Sequence, residues 1–419
     1  MALADRTSMG RYRIAAIAAA VFTALAVASP GPAWGQENGD GGGASAASPA
    51  EMMAPAGMMQ MMMGALSDDS DAAPLTGHGF LLDKGVFTTI DHPDAGSGPG
   101  AGTLALGLND RGQIVGGYID ADGRGHGFLL DDGEFTTIDH ADAALGPRLR
   151  TVLFGINNRC QIVGQYIDTD LRCHDLLRSR STFTTIDVPG AEQTGAGGIN
   201  NRGRIVGVYS ETGAPGFADG RGFLLDRGRF TTIHVPDAVN TIARGVNDRG
   251  QVVGSYLDAG GSIHGFLWDK GRFTPIDVPG AGGTTATDIN NRGQIAGEYG
   301  EEPSNAPTAL RGFLLSEGGV TTFDAPGVLF TEPGGIHDRG QIVGSTASDP
   351  ALADFHGFLL AEGVEGGFTP IDFPGAARTV AFDINNRRQI VGLYENPDAP
   401  LDGQPSPMQM PMMMSGGDG

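Results

Sequence analysis

One eight-residue pattern, Asn-x-Arg-Gly-Gln-Ile-Val-Gly, recurs seven times along this 419-residue chain. Successive copies start 43 to 48 residues apart, at Asn109, Asn157, Asn200, Asn247, Asn290, His337 and Asn385. A His-Gly-Phe-Leu-Leu pattern also occurs seven times and starts at His78, His126, His174, Arg221, His264, Arg311 and His356. A Phe-Thr-Thr-Ile-Asp pattern follows each of these and ends at Asp91, Asp139, Asp187, His234, Asp277, Asp324 and Asp372. Because self-similarity at a fixed period of about 45 residues is the signature of repeat architectures, the fold is built from seven copies of one small unit.

Each repeat predicts four short antiparallel β-strands. The Asn and Gly of the first pattern fit a type I turn, in which Asn bonds the backbone and Gly tolerates the exit conformation. The Gln-Ile-Val-Gly-x-Tyr segment after that turn has the β-branched centre of a strand. An Asp-x-Gly hairpin turn then joins the His-Gly-Phe-Leu-Leu and Phe-Thr-Thr-Ile-Asp strands. A strand of small residues, such as 285–289, precedes each Asn and completes the unit.

The predicted fold class is all-β, a seven-bladed β-propeller whose blades are four-stranded antiparallel sheets. The repeat region opens at His78 with the last two strands of a unit and ends at Tyr394 with the first two. Pairing of these N-terminal and C-terminal strand pairs would close the ring between 78–91 and 379–395 and leave no free sheet edge. The alternative is an open stack of blades with two exposed edges. Within a blade, we expect the small-residue strand to be innermost and the Phe-Thr-Thr-Ile-Asp strand outermost.

The repeated Gly-Gln-Ile-Val-Gly strand followed by His-Gly-Phe-Leu, over residues 78–394, resembles the bacterial extracellular repeats called the HAF family. This chain has His-Gly-Phe where the name motif has His-Ala-Phe, and Thr-Thr-Ile-Asp where the family often has an Asp-Leu-Gly ending. The resemblance implies an exported repeat protein. It implies no activity, because the family has no established function to carry over.

Outside the propeller at 77–396, the sequence predicts three segments. They are a signal peptide at 1–35, a disordered linker rich in Met, Gly and Ala at 36–76, and a disordered Pro- and Met-rich tail at 397–419. The signal peptide has a basic start and an apolar run at 14–28, which is shorter than the roughly 20 residues that span a bilayer. We therefore expect a secreted or periplasmic protein without membrane insertion.

The formal net charge of −22 limits the possible partners. Phosphate backbones repel so acidic a chain, and nucleic acid is therefore not an expected partner. An extracellular protein or a polysaccharide remains, and we expect the protein to be a monomer. The repeats themselves predict no cofactor.

Two cysteines, Cys160 and Cys173, lie on either side of the predicted strand 161–167. The mostly extended chain between them spans roughly 20 Å. A disulfide needs Cα atoms within about 7 Å of each other. We therefore expect both thiols to be unpaired.

An arginine recurs two residues after the first residue of each turn, at Arg111, Arg159, Arg202, Arg249, Arg292, Arg339 and Arg387. These side chains could form a ring of positive charge near one mouth of the channel, which would be an anion site. Alternatively, the Asp-x-Gly turns lie on the same face, and Asp83, Asp131, Asp226 and Asp269 could pair with these arginines within each blade. We favour this structural role, because a feature repeated in every blade usually belongs to the construction of the blade.

Histidines and acids on the opposite, long-loop face are the candidate ligand-binding residues: His92, Asp94, His126, His140, Asp142, His264 and His356. Imidazole and carboxylate groups on a concave face could hold a metal ion or act as acid and base. These residues follow the repeat, however, whereas a catalytic site should break its symmetry. We therefore expect the histidines to bond neighbouring turns, and we assign no catalytic residue.

Methionine is concentrated in the two segments that flank the repeats. The candidate metal ligands are Met58, Met59, Met61, Met62 and Met63 before the first blade and Met408, Met410, Met412, Met413 and Met414 after the last. Thioether sulfur is a soft ligand that suits Cu(I). The two segments could therefore capture copper, or they could simply be adaptable low-complexity surface.

Three functions remain open from the sequence. We favour an exported, non-enzymatic propeller that serves as a binding scaffold for a surface polymer, a glycan or a protein. The second is a propeller-type polysaccharide hydrolase or lyase with a His and Asp site on the long-loop face, and the third is Cu(I) capture by the tails. No G-x-S-x-G motif or glycine-rich phosphate loop favours an enzyme, and the fold alone assigns no function.

Overall fold

The computed structural model describes residues 77–97, 101–144, 148–170, 172–214, 217–300, 309–348, 354–362 and 367–396. Every named element in these ranges is a β-strand, and the described part of the chain is therefore all-β, as predicted. No helix in those ranges has the length and apolar character needed to cross a membrane. The predicted signal peptide, linker and tail, with both methionine clusters, lie outside the described residues.

Each repeat forms a unit of antiparallel strands in the predicted order. The first strand of a unit carries the small residues, and these strands are β3 (Gly102–Leu108), β8 (Thr151–Ile156), β12 (Gln193–Ile199), β16 (Asn240–Val246), β20 (Gly283–Ile289), β24 (Phe330–Ile336) and β28 (Arg378–Ile384). The second strand carries the Gln-Ile-Val-Gly pattern, in β4 (Ile114–Ile119), β9 (Gln161–Ile167), β13 (Ile205–Ser210), β17 (Val252–Leu257), β21 (Ile295–Gly300), β25 (Ile342–Ala347) and β29 (Ile390–Glu395).

The third and fourth strands of a unit form its outer hairpin. The third strands are β1 (His78–Asp83), β5 (Arg124–Asp131), β10 (Cys173–Ser179), β14 (Arg221–Asp226), β18 (Ile263–Asp269), β22 (Leu310–Ser316) and β26 (His356–Leu360). The fourth strands are β2 (Val86–Ile90), β6 (Glu134–Ile138), β11 (Thr182–Thr185), β15 (Arg229–Ile233), β19 (Arg272–Ile276), β23 (Gly319–Phe323) and β27 (Phe368–Ile371). A short strand, β7 (Arg148–Leu149), adds to the edge of β5 in parallel.

One unit is assembled from both ends of the repeat region. Its strand order is β2-β1-β29-β28. The antiparallel pairing of β1 with β29 runs from His78 opposite Tyr394 to Leu82 opposite Ile390. Both strands therefore have a partner on each side, and neither leaves an open edge. One parallel pair, Leu310 opposite Phe330, also joins two successive units.

The glycine that ends Gln-Ile-Val-Gly is required by the close approach of two strands. The first strand bulges opposite this glycine, and in β3 the register shifts between Ala105 and Gly107. A Cβ atom on Gly116 would lie 1.7 Å from the carbonyl oxygen of Leu104. The equivalent clash, at 1.9 to 2.2 Å, would occur at Gly164, Gly207, Gly254, Gly297, Gly344 and Gly392. Steric exclusion of a side chain therefore explains why this glycine occurs in all seven repeats.

The hydrophobic core lies between adjacent units. A typical cluster joins Val206 and Leu224 of one unit to Ala243, Val252 and Phe266 of the next. The Phe of His-Gly-Phe is fully buried in five units, at Phe80, Phe128, Phe223, Phe266 and Phe313. Because burial of one such side chain contributes about 1.5–3 kcal/mol, the outer hairpins stabilise the contact between sheets as well as their own sheet.

Each Asn turn, the four residues that begin Asn-x-Arg-Gly, is held within its unit and bound to the next one. Asn200 Oδ1 accepts hydrogen bonds from the backbone N–H groups of Arg202 and Arg204 at 2.9 and 3.0 Å. Its Nδ2 donates to the carbonyl oxygen of Asn247, in the next turn, at 2.7 Å. The same inter-unit bond is donated by Asn109, Asn157, Asn247, Asn290 and Asn385. One asparagine therefore serves both as a local cap and as a link between units.

A second set of hydrogen bonds joins the residues that follow each Asn. The backbone N–H of each one donates to a side-chain oxygen of its equivalent in the next unit, at 2.8 to 2.9 Å. The order is Asp110, Asn158, Asn201, Asp248, Asn291, Asp338, Asn386 and then Asp110 again. The Asn turns are therefore neighbours in a continuous cycle of hydrogen bonds.

Both cysteines are free, which confirms the prediction. Cys160 occupies the fourth position of its Asn turn, where five other turns have Gly at φ values of 79° to 86°. This left-handed conformation favours Gly, yet Cys160 and Arg388 adopt it at 59° and 66°.

Candidate ligand-binding site

The histidines that begin His-Gly-Phe are held inside their own units. His126 Nδ1 bonds the carboxylate of Asp139 at 2.7 Å, and its Nε2 bonds Asp120 at 3.3 Å. Similar contacts join His174 to Asp187 and Asp168, His264 to Asp277 and Asp258, His78 to Asp91, and His356 to Asp372. Burial alone would lower the pKa of His264, but hydrogen bonds to its two carboxylates leave that pKa raised. His126, His174 and His264 therefore join the outer hairpin to a turn of the same unit, whereas His78 and His356 bond the aspartate that ends their hairpin.

His92 and His140 occupy packing positions. His92 stacks on Tyr118 with ring centroids 3.7 Å apart, and its Nδ1 accepts a hydrogen bond from the N–H of Asp94. His140 stacks on a tyrosine in the same way and accepts from Asp142. Burial lowers the pKa of both imidazoles. Other units have Val188, Val278 and Phe373 at this position. The predicted ligand-binding residues line neither of the two cavities described below.

The seven turn arginines are all exposed. Among the described residues, these arginines do not form the predicted ion pairs with the aspartates of the Asp-x-Gly turns. Asp131 instead accepts a hydrogen bond from Gln113 at 2.7 Å, and Asp226 binds Arg204 at 3.0 Å. Asp83 and Asp269 are likewise bound by glutamines, Gln389 and Gln251. The residue after the turn is closer to the carboxylate, because the turn's own Arg projects to solvent.

A cavity of about 310 Å³ lies where the first strands converge. Each first strand has a Thr near its start, and the fourth residue counted from that Thr lines the cavity in every unit. These seven residues are Leu106, Phe154, Gly197, Arg244, Thr287, Gly334 and Phe382. Unlike the turns and the hairpins, this position varies from unit to unit. The cavity therefore has different chemistry on its different sides.

The apolar side is formed by three consecutive units. Phe382 of β28, Leu106 of β3 and Phe154 of β8 line this side. The opposite side carries Arg244 of β16 and Glu332 of β24, together with Glu298 of the second strand β21. Glu298 lies opposite Thr285 in the β20–β21 pairing, next to the cavity. An apolar wall therefore faces a charged wall across one small space.

The three charged residues are almost fully buried, with exposures of 6% for Arg244 and 7% for Glu298 and Glu332. Burial raises the pKa of Glu298 to about 7, against the opposing attraction of Arg244. Burial and repulsion from Glu298 raise the pKa of Glu332 to about 8. Near neutral pH these two carboxyl groups are therefore only partly ionised, beside the positive charge of Arg244.

Two further carboxyl groups line the cavity but bind the backbone. Asp288 accepts hydrogen bonds from the N–H of Ile289 and, in the next unit, from Ile336 at 3.1 Å. Asp383 accepts from its own neighbour and from Leu108 of the next unit at 3.2 Å. Burial raises their pKa values to about 6 and about 7. Both residues stand where the other five units have Gly, and both join adjacent units.

A second cavity of about 190 Å³ lies on the side of the Asn turns. Its wall consists of the first two residues of each turn, which are mostly Asn and Asp, and of the aliphatic residue before them. Four apolar residues line both cavities and therefore lie between them: Leu108, Ile156, Ile199 and Val246. The charged cavity therefore adjoins the cavity of the Asn turns, with apolar residues at their junction.

Arg244, Glu298 and Glu332 are not among the site residues predicted from the sequence. The Thr near the start of each first strand allows the seven repeats to be aligned. In that alignment the fourth residue counted from the Thr varies among Leu, Phe, Gly, Arg and Thr, and this variation is the sequence signal of the site. The candidate residues predicted from the sequence lie in the loops and hairpins, whereas the residues that break the repeat lie in the first and second strands.

No protein-family model and no curated protein matches this chain. Solved structures similar to it include TolB from Acinetobacter baumannii, at 15% identity and a TM-score of 0.43, over 68% of this chain and 63% of that chain. The β-propeller domain of the Trilobed protease from Pyrococcus furiosus is similar at 10% identity and a TM-score of 0.49, over 71% of this chain and 92% of that chain. The Aleuria aurantia lectin, described as a six-bladed β-propeller, is similar at 10% identity and a TM-score of 0.37, over 67% of this chain and 96% of that chain. This chain thus spans less than two-thirds of the length of TolB, and the TM-scores of all three structures lie below 0.5.

Proposed function

We propose that this chain is an exported, seven-bladed β-propeller that binds a small ligand in its central cavity. It belongs to the class of binding proteins favoured by the sequence. The HAF-like repeats and the basic, apolar N-terminus support export.

Two features support the closed seven-bladed ring. The β1–β29 pairing removes the open edges that a stack of blades would have. The hydrogen bonds between the Asn turns return from Asn386 to Asp110 after seven steps. A linear stack would leave the first and last of these turns far apart, so the returning bond favours a ring.

The observation that carries the binding function is the position of the buried charges. Glu332 stands where other units have Leu104, Val152 and Val380, and Arg244 stands where others have Leu or Phe. Buried charges contribute little to stability, because desolvation offsets their attraction. Departures from a local rule without a gain in stability are expected at functional sites. The residues that build the scaffold are the same in most units, whereas the residues that line the cavity differ from unit to unit.

The His and Asp set of the long-loop face supports a hydrolase less well. In five units the histidine is bonded to one or two aspartates of its own unit. A group that recurs in this way stabilises the blade, whereas a catalytic acid or base must reach a substrate.

Cavity filling provides the test. Gly197 lines the cavity at the position where another unit has Leu106, so Gly197→Leu introduces a residue that the repeat already accommodates. We expect at least one of three small probes, cyclohexylamine, cyclohexanecarboxylate and methyl glucoside, to raise the melting temperature of the full chain but not that of Gly197→Leu. No stabilisation by any probe, or equal stabilisation of both proteins, would overturn binding in this cavity.

A further inference from the structure

The charge balance of the cavity identifies the kind of ligand that it accepts. Four carboxyl groups line it, at Asp288, Glu298, Glu332 and Asp383, against the single guanidinium of Arg244. Arg244 and Glu298 attract each other, and Asp288 and Asp383 are bound by backbone N–H groups. Among the described residues, no ion pair joins Glu332 to a cation, and the neighbouring Glu298 repels its ionised form. Where these carboxyl groups are ionised, an anionic ligand would add to the excess of negative charge, whereas a cation would relieve it.

The opposite wall suits the body of an organic cation. Phe154 and Phe382 present aromatic rings to the same space, with Leu106 between their units. Aromatic faces attract ammonium groups within about 6 Å, and these three side chains also favour apolar contacts. A cavity of about 310 Å³ is at the lower end of the range of about 300–1,000 Å³ for small-molecule sites. The wall therefore favours a compact ligand with one apolar and one charged end.

We propose that the cavity selects a small organic cation, an amine with an apolar body, whose ammonium group binds Glu332 and whose body packs against Phe154 and Phe382. This inference rests on the proposed binding function and adds the class of ligand. The net charge of −22 raises the local concentration of cations near the molecule and acts in the same direction.

Binding of an ammonium group requires an ionised Glu332, and affinity is therefore coupled to pH. The groups that face Glu332 are Glu298 on β21, Arg244 on β16, Asp288 on β20 and Asp383 on β28. Of these, Glu298 repels the ionised form and raises the pKa of Glu332 to about 8, in addition to the effect of burial. The affinity for an amine should fall by up to roughly tenfold for each pH unit below 8, because only the ionised fraction binds.

Calorimetric titration of the full chain with three probes of similar shape tests the inference. The probes are cyclohexylamine, which is a cation at neutral pH, cyclohexanol, which is neutral, and cyclohexanecarboxylate, which is an anion. We expect the amine to bind at least about tenfold more tightly than the alcohol at pH 8, and the carboxylate not to bind. The preference for the amine should disappear in Glu332→Val and Glu332→Gln. It should persist in the matched control Glu395→Gln, because the buried Glu395 pairs with Arg378 and does not line the cavity.

Tighter binding of the carboxylate or the alcohol, or an amine affinity that is unchanged in both Glu332 variants, would overturn the cation inference. If such binding were abolished by Gly197→Leu, the central cavity would remain the binding site and only the class of ligand would be wrong. Binding of Ca²⁺ or Mg²⁺ in place of the amine would also overturn it. Absence of binding by all three probes would contradict both the inference and the proposed function.

Discussion

Glu332 illustrates how a single residue gives one repeat unit a role that the others lack. Its backbone belongs to an ordinary first strand, and Ser345 pairs with it across the sheet. Its side chain, however, places a carboxyl group at the cavity, whereas four other units have an aliphatic residue at this position, Leu104, Val152, Ile242 and Val380. The contrast is sharp because burial penalises the ionised carboxylate and does not penalise valine. At the scale of residues, departures from the repeat therefore carry the chemistry, and the repeated residues carry the fold.

The raised pKa of Glu332 predicts how stability depends on pH. This carboxyl group titrates at about 8 in the folded chain, against an ordinary value of 4.5. Between these pH values the folded state holds a proton that the unfolded state has lost, so the contribution of Glu332 to the free energy of unfolding falls as pH rises from 4.5 to 8. Removing the group should remove that part of the pH dependence.

Urea unfolding of Glu332→Gln at pH 5, 6, 7 and 8 measures this effect. We expect the free energy of unfolding to decline less steeply with pH in the variant than in the unmodified chain. His264, with a raised pKa, and His92, with a lowered pKa, are present in both proteins. Their contributions to the pH dependence are therefore the same in both and do not affect the difference between the slopes. Identical slopes would mean that Glu332 does not have a raised pKa.

At the scale of elements, the Asn turn is the best-determined part of the repeat. Its side chain is bonded to two backbone N–H groups and to the next unit. Even the exception keeps the two local bonds, because His337 Nδ1 accepts hydrogen bonds from the N–H groups of Arg339 and Gln341. The local pattern predicted this turn from Asn and Gly alone, since the chemistry of a turn is contained in four residues.

Replacing Asn200 separates the local bonds of the turn from its inter-unit bond. We expect Asn200→Ala to lower the free energy of unfolding by about 2 kcal/mol or more, because it leaves part-buried N–H groups without an acceptor. Asn200→His should cost less, because His337 makes the local bonds in another unit. Thermal and urea unfolding provide the measurement, and equal losses in both variants would contradict the assigned role of the turn.

The first strands show why the site could not be predicted in the same way. Their sequences read as runs of small residues, which indicate a strand next to a crowded axis. Each first strand has a bulge, which in β16 lies between Ala243 and Gly245. This bulge determines which side chains of the strand face the cavity. That bulge arises from contact with the Gly of the second strand, so no local pattern contains it. Charge pairing between β16 and β21 is likewise a property of the assembled sheets.

At the scale of the whole molecule, a closed ring requires that the unit built from both chain ends is as firmly held as the others. Phe80 of β1 is fully buried and packs with Tyr394 of β29 in one core cluster. Tyr394 also stacks on Phe373, with ring centroids 3.6 Å apart. The sequence predicted this pairing from the phase of the repeat, because two half-units at the chain ends complete one another.

Hydrogen exchange measured by mass spectrometry tests closure at this seam. In a closed ring, the amides of β1 and β29 should be protected as strongly as those of β13 and β14, which are paired in the same way within a continuous unit. If β1 and β29 exchanged at the rate of the loops while β13 and β14 remained protected, the ring would be open.

The central claim is that repeated residues build the scaffold and that the departures in the first and second strands build a binding site. Restoring the repeat tests it directly. The variant Arg244→Leu, Glu298→Ser, Glu332→Val introduces residues that other units have at the same positions, at Leu106, Ser345 and Val380. Calorimetric titration with cyclohexylamine, combined with urea unfolding at pH 8, should find a cooperatively folded protein at least as stable as the unmodified chain that no longer binds the amine. Loss of cooperative folding, or amine binding equal to that of the unmodified chain, would contradict the claim.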